Sequence, residues 1–134
     1  MPVAPGTLLP VGLLAVTVEG AAATTDRIQK RVPGRGSRFL VVTIRVANPS
    51  LEDQPLYWES IDCALRSPQG TDIPWNQELL ASGRDEELDL TLTPGREAAA
   101  RIYFEVPQGS GPYTLFLRRG EGARAYLVNL GALR

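Results

Sequence analysis

The sequence predicts an all-β chain folded as an antiparallel sandwich of about seven strands with Greek-key connections. Three observations carry that expectation. Apolar and polar residues alternate with a period of two in segment after segment, as half-buried strands require. The 13 glycines and 11 prolines are spread along the whole length, so few windows could hold a long helix. Turn signals return at about ten-residue spacing, the rhythm of a sandwich. The length, 134 residues, fits one domain spanning 1–134. With 43% hydrophobic and 22% charged residues, the composition is that of a globular chain rather than a disordered one.

Taken in order, Pro2, Pro5 and Pro10 make residues 1–11 an extended lead-in. In the first strand, Leu14, Val16 and Val18 alternate with Ala15, Thr17 and Glu19. The clearest strand follows from Phe39, where Leu40, Val42, Ile44 and Val46 face one way and Thr43 and Arg45 the other. Asn48, Pro49 and Ser50 end it, because proline cannot donate to a ladder. A third run sets Ile61, Cys63 and Leu65 against Ser60, Asp62, Ala64 and Arg66, closed by the turn Ser67, Pro68, Gln69, Gly70. A short fourth alternates Leu88, Leu90 and Leu92 with Asp89 and Thr91 before Thr93, Pro94 and Gly95.

The fifth run holds a conflict. Three consecutive alanines, Ala98, Ala99 and Ala100, favour helix by propensity. Yet Ala98, Ala100, Ile102, Phe104 and Val106 share one face under a period of two, with Arg101, Tyr103 and Glu105 opposite, and Pro107 ends the run. Strand is the consistent reading. Tyr113, Leu115 and Leu117 alternate with Thr114, Phe116 and Arg118, and Tyr126, Val128 and Leu130 with Leu127 and Asn129. Gly120 and Gly122 between them suit a hairpin turn. The expected inward set includes Val16, Val42, Ile44, Ile61, Cys63, Leu65, Ile102, Phe104, Leu115 and Val128. Two long loops remain, 20–36 and 70–87, and in the second Asn76 could cap a turn of helix ended by Gly83.

Composition excludes several kinds of chemistry. Fourteen basic residues against 15 acidic ones leave a net charge of −1, which excludes a generally basic nucleic-acid binder. No histidine and a single cysteine, Cys63, deny the chain the usual zinc ligand sets, the His-dependent triads and an internal disulfide. Cys63 reads as a buried structural residue, since no histidine could activate it. No G-x-S-x-G elbow or phosphate-binding glycine loop is present. No catalytic residue, metal site or cofactor is therefore assigned. The acidic run Asp85, Glu86, Glu87 and Asp89 lacks the spacing of a calcium loop. A carboxylate pair of the kind that hydrolyses glycosides is not visible along a chain, because its members meet only in space.

The start of the chain bears on location. Met1 to Thr7 has no basic region, so a secretory leader is not visible, although Ala21 and Ala23 imitate a cleavage site. Pro10 and Gly12 interrupt the one apolar stretch that could approach a membrane span. On these grounds the chain is either cytoplasmic or a mature form whose export signal has been removed.

Two sets of residues are candidates for binding. Arg27, Lys30, Arg31, Arg35 and Arg38 fall within twelve residues and could hold an anionic partner with salt-dependent affinity. Tyr57 and Trp58 precede the third strand and Trp75 lies in the long loop after it; such aromatics serve as interface anchors or as core plugs.

The order of these features resembles a family of bacterial immunoglobulin-like domains of unknown function, often found in secreted proteins and lipoproteins and related in fold to a secreted immunoprotective antigen. The matching pieces are the opening strand, Gly36-Ser37-Arg38-Phe39 leading into the strand that ends at Asn48, and the Ser67-Pro68-Gln69-Gly70 turn. The most specific piece is Leu92-Thr93-Pro94-Gly95-Arg96 followed by Phe104-Glu105-Val106-Pro107 and Tyr113-Thr114-Leu115. The resemblance implies an immunoglobulin-like sandwich, an extracytoplasmic location and a non-catalytic role in binding a protein or envelope component. It supplies no catalytic residues. The chain departs from the pattern in having no visible leader or lipobox cysteine near its start. The rival functions are a structural subunit that docks through a sheet edge or face, and a hydrolase.

Overall fold

The structure, a computed structural model, describes residues 3–27, 32–57, 62–74, 89–109, 111–118 and 124–131. Those residues form ten strands and no helix: β1 (Leu8–Val11), β2 (Leu14–Thr24), β3 (Ser37–Ala47), β4 (Gln54–Tyr57), β5 (Asp62–Arg66), β6 (Asp72–Pro74), β7 (Asp89–Leu92), β8 (Glu97–Pro107), β9 (Tyr113–Arg118) and β10 (Ala125–Gly131). One four-stranded sheet runs β1-β2-β3-β8, a second runs β10-β9-β5-β6, and β4 pairs with β7. Every pair of neighbouring strands is antiparallel. The chain crosses from the first sheet to the second between β3 and β5, returns between β6 and β8, and crosses again from β8 to β9, so β3–β8 and β5–β9 are pairings of distant segments. That crossing makes the sandwich a Greek key of immunoglobulin type.

All seven expected strands are present, as β2, β3, β5, β7, β8, β9 and β10. Three more were not foreseen. Leu8–Val11, within the stretch read only as an extended lead-in, pairs with β2 through Leu9↔Val16 and Val11↔Leu14. It buries Leu9 and Val11 and exposes Leu8 and Pro10. The other two, β4 and β6, are four and three residues long, too short for alternation to register. The first long loop is also shorter than expected, because β2 runs on to Thr24. A bulge explains the extension: the register shifts between Val18 and Gly20, leaving Glu19 without a partner residue on β3. An extra residue reverses the facing of everything after it. Inward positions therefore change from Val16 and Val18 to Ala21, which packs on the core. The even alternation that marks the first half of β2 cannot be followed through that point.

The core lies between the two sheets. Leu40, Val42, Ile44 and Val46 of β3 have no exposed surface, and they pair in register with Phe104, Ile102, Ala100 and Ala98 of β8. The facing sheet contributes Cys63, Leu65, Tyr113, Leu115, Leu117 and Val128. Every member of the expected inward set that is described is buried; Ile61 lies outside the described residues. Each such side chain, fully buried, contributes about 1.5–3 kcal/mol of transfer free energy. The alanine run settles as strand because every second residue of β8 meets a core residue of β3.

One residue sits against expectation. Tyr103 is on the outer face of β8, where alternation would place it in water, yet it is only 2% exposed. It pairs with Val41, and with Val41 and Phe39 it forms a second small cluster on the outside of the first sheet. The segment before β3 passes close by: a Cβ at Gly34 would stand 3.3 Å from Glu105 Oε2 on this same face.

The end of the sandwich is tied by Asn48, which is fully buried. Its Nδ2 donates to the carbonyls of Glu52 (2.7 Å) and Leu92 (2.8 Å), and its Oδ1 accepts from Ser50 N–H (3.0 Å) and Ser50 Oγ (2.6 Å). Its backbone N–H donates to Arg96 C=O and its carbonyl accepts from Gly95 N–H. Arg96 N–H closes the Thr93–Pro94–Gly95 turn on Thr93 C=O at 3.0 Å. Gly95 holds φ +79°, the left-handed value that a type II turn demands after its proline. One buried amide thus joins the end of β3, the 48–52 turn, the end of β7 and the start of β8.

Two outcomes follow. Ile44→Asp buries an unpaired charge at a cost of about 3–5 kcal/mol, and its thermal melt loses the cooperative transition. Asn48→Ala leaves the buried Leu92 carbonyl without its side-chain donor and Glu52 C=O with only Ser50 Oγ, and lowers stability by about 2–3 kcal/mol, read by urea unfolding; an unchanged midpoint would refute the linking role of Asn48.

Candidate functional site

The outer face of the second sheet carries a constellation of charge and aromatic surface. On β5, Cys63 and Leu65 face the core, which turns Ala64 and Arg66 outward; on β9, Leu115 and Leu117 face the core, which turns Thr114, Phe116 and Arg118 outward. The β5–β9 register sets Ala64 opposite Phe116, Arg66 opposite Thr114 and Asp62 opposite Arg118. Phe116 is also opposite Leu127 of β10. Ala64, Phe116 and Leu127, each half-buried, therefore make one apolar row across three strands, with an arginine on either side.

Both arginines lie over the phenyl ring. Arg66 Cζ is 5.5 Å and Arg118 Cζ 5.6 Å from the Phe116 centroid, within the range of cation–π attraction, worth about 0.5–1 kcal/mol each at exposed positions. Arg66 is steadied further by Asp72, whose Oδ1 accepts from its Nε at 3.0 Å. The tight β5–β6 hairpin makes that contact possible. Gly70 at φ +85° lets Gly70 N–H reach Ser67 C=O and Ser67 N–H reach Thr71 C=O, both at 2.9 Å, which brings Asp72 opposite Arg66. With side-chain exposures of 39% and 54%, the ion pair orients Arg66 more than it stabilises the fold. A guanidinium over a ring keeps its N–H donors at its rim, where they can grip a carboxylate or phosphate in bidentate fashion. The chemistry this face can perform is recognition of an anionic group beside a flat apolar surface.

The outer face of the first sheet is differently composed. Arg45 Nε donates to Glu19 Oε1 at 2.8 Å and Nη1 to Glu97 Oε1 at 2.9 Å. Glu19 first and Glu97 second push the already high pKa of Arg45 further up. That cation is satisfied by two carboxylates, so the face presents a closed charge cluster. The Glu19 bulge has a consequence here, since it swings that carboxylate to the arginine.

Of the residues singled out from sequence, Arg27 and Arg35 are exposed, one on each side of the 28–31 stretch. Neither makes a hydrogen bond or ion pair among the described residues. Arg38 is the second residue of β3 and is half-buried. Tyr57 closes β4, its backbone opposite Asp89. Lys30, Arg31, Trp58, Trp75, Asp85, Glu86 and Glu87 lie outside the described residues, as does the turn proposed at Asn76. The arginine-flanked face was missed as a unit. Alternation had already turned Arg66, Phe116 and Arg118 outward, but nothing along the chain says that β5 lies beside β9.

Cys63 is buried, and loss of solvent pushes its thiol up to about 12 from an ordinary 9.0. The unfolded chain releases this proton at lower pH than the native one, so the thiol's contribution to stability is complete below pH 9 and is lost progressively between 9.0 and about 12. Native protein should resist iodoacetamide at pH 9.0 while the urea-unfolded chain reacts, and Cys63→Val should flatten part of the alkaline decline; rapid alkylation of the native form would contradict this burial.

Solved structures share the fold. An uncharacterised β-sandwich protein of Clostridium difficile is 9% identical, with 98% of this chain and 95% of that chain covered and a TM-score of 0.65. The secreted protein MPT63 of Mycobacterium tuberculosis is 20% identical, with 96% and 98% covered and a TM-score of 0.63. A candidate lipoprotein of Bacillus subtilis, ycdA, is 12% identical with a TM-score of 0.63; 92% of this chain is covered but only 38% of that one. No curated protein sequence matches. The family match, over residues 6–125, spans most of the chain: the chain belongs to the family described as domain of unknown function DUF4352.

Proposed function

We propose that this domain is a non-catalytic binding module that works outside the cytoplasm, and that it engages an anionic partner through the outer face of β5, β9 and β10. The observation that carries the reading is Phe116 with Arg66 on one side and Arg118 on the other, at 5.5 and 5.6 Å. A half-exposed aromatic held between two guanidiniums adds little to a fold whose core is complete beneath it. It suits a surface that meets a carboxylate- or phosphate-bearing component of the envelope. The location is supported by the fold being shared with a secreted protein and a candidate lipoprotein. Arg27, Lys30, Arg31 and Arg35 with Tyr57, Trp58 and Trp75 stay separate candidates for binding.

The experiment is retention of envelope components on immobilised protein, at low and high salt. Wild type should retain an anionic component and release it as salt rises, because the attraction is screened within about 8 Å at physiological ionic strength. Phe116→Ala and the double change Arg66→Gln, Arg118→Gln should each weaken retention about tenfold while melting within a few degrees of wild type. Retention unchanged in both variants would remove this face from the function.

A further inference from the structure

Leu51 is the most exposed large apolar side chain among the described residues, at 95%. A single exposed leucine needs no explanation. What sets this one apart is how firmly it is held and what stands beside it. The residues on either side are fixed by the buried amide of Asn48: Ser50 N–H donates to Oδ1 at 3.0 Å, and Glu52 C=O accepts from Nδ2 at 2.7 Å. Ser50 Oγ donates to the same Oδ1 at 2.6 Å. The turn therefore presents Leu51 on a backbone that has already lost its freedom, so seating the side chain in a partner needs little further ordering. Two carboxylates follow it, Glu52 and Asp53, both exposed. The tip is apolar and its flank is acidic.

The outer face of β5, β9 and β10 has the opposite charge beside the same kind of apolar surface. Ala64, Phe116 and Leu127 make its row, and Arg66 and Arg118 lie over the phenyl ring from either side. Because β9 is bonded to β10 on one side and β5 on the other, the row at Phe116 offers no open main-chain edge. A partner must meet it with side chains, which suits a protruding turn better than an added strand. Within one molecule the two surfaces stand apart. The bonds of Asn48 tie the turn to Leu92, Gly95 and Arg96, beside the ends of β7 and β8, whereas the face is the outside of the other sheet.

We propose that the partner taken by the arginine-flanked face is a second copy of this domain, which lays Leu51 against Phe116 and sets Glu52 and Asp53 beside Arg66 and Arg118. The inference rests on the reading of that face given above and names its anionic partner. Turn and face are different surfaces, so each copy in a pair keeps one of them unused. The contact is head-to-tail and grows into a chain or ring instead of closing as a two-fold dimer. One leucine on a three-residue row falls well short of the roughly 800 Å² per partner of a stable complex. Its Kd in free solution is therefore on the order of 1 mM, and it strengthens where copies are held close together.

The test mixes two variants that each keep one half of the contact. Leu51→Ser keeps the face and Phe116→Ala keeps the turn; both changes lie outside the core, and thermal melts report that the variants fold. In sedimentation up to a few times about 1 mM, wild type should gain mass with concentration and lose it in high salt. Each variant alone should associate about tenfold more weakly. Mixed, they should pair one to one with wild-type affinity and grow no further. In amide NMR, labelled Leu51→Ser titrated with unlabelled Phe116→Ala should shift at Ala64, Phe116 and Leu127 and not at 48–53. The proposal is overturned if wild type stays monomeric, if either variant alone associates as wild type does, or if the mixture does not pair. A monomeric wild type that still retains an envelope anion through Phe116 defeats self-docking and leaves the proposed face standing. If Phe116→Ala changes neither retention nor association, both fall.

Discussion

The structure depends on keeping water away from one stripe of β3. Leu40, Val42, Ile44 and Val46 are wholly buried, and β3 is hydrogen-bonded on both sides, to β2 and to β8, over nearly its full length. Strand side chains alternate, so a slip of one residue against β8 would send all four into solvent and bring Val41, Thr43 and Arg45 inside. That penalty, several fully buried side chains at about 1.5–3 kcal/mol each, far exceeds anything a surface contact could return. Register across the first sheet is consequently not negotiable, and the second sheet inherits its position from the side chains that meet it.

The same constraint creates the outer faces. Once Cys63, Leu65, Leu115 and Leu117 must face inward, Arg66, Phe116 and Arg118 have nowhere to go but out, and their spacing is that of the pleat. The core thereby sets the geometry of a surface that contributes little to stability, and such a face can vary while the fold beneath it is kept. The first sheet uses its exterior differently. Arg45 is closed off by Glu19 and Glu97, and Phe39, Val41 and Tyr103 pack together. Two faces built on one alternation therefore offer different chemistry, one with its cation paired between carboxylates and the other with cations beside an aromatic ring.

Edges and ends need their own solutions, because a sheet edge carries donors and acceptors that seek partners. Asn48 solves one end by meeting the 50–52 turn and the end of β7 with its buried side-chain amide and the turn before β8 with its backbone. At the β10 edge, Val3 satisfies part of the ladder by a parallel bridge to Val128. The fold is the same one that carries a secreted mycobacterial protein and sandwich proteins of other bacteria at identities of 20% or less, so its architecture survives replacement of most of its residues.

Seven strands and their inward faces were legible in the amino-acid order alone, because burial of one face imprints a period of two wherever a strand is regular and long enough. Val42, Ile44, Phe104 and Leu115 needed no neighbour to declare their direction. Where the local pattern is interrupted or too brief, it misleads. Glu19 breaks the alternation of β2, β4 and β6 are only a few residues long, and Tyr103 is sheltered by Phe39 and Val41, far away along the chain. The arginines around Phe116 mark the same limit from the functional side. Their outward direction was determined by sequence, but their meeting was decided by the pairing of β5 with β9 across about fifty residues. Local periodicity can encode which way a side chain points; only the closure of long-range strand pairs can decide what it meets.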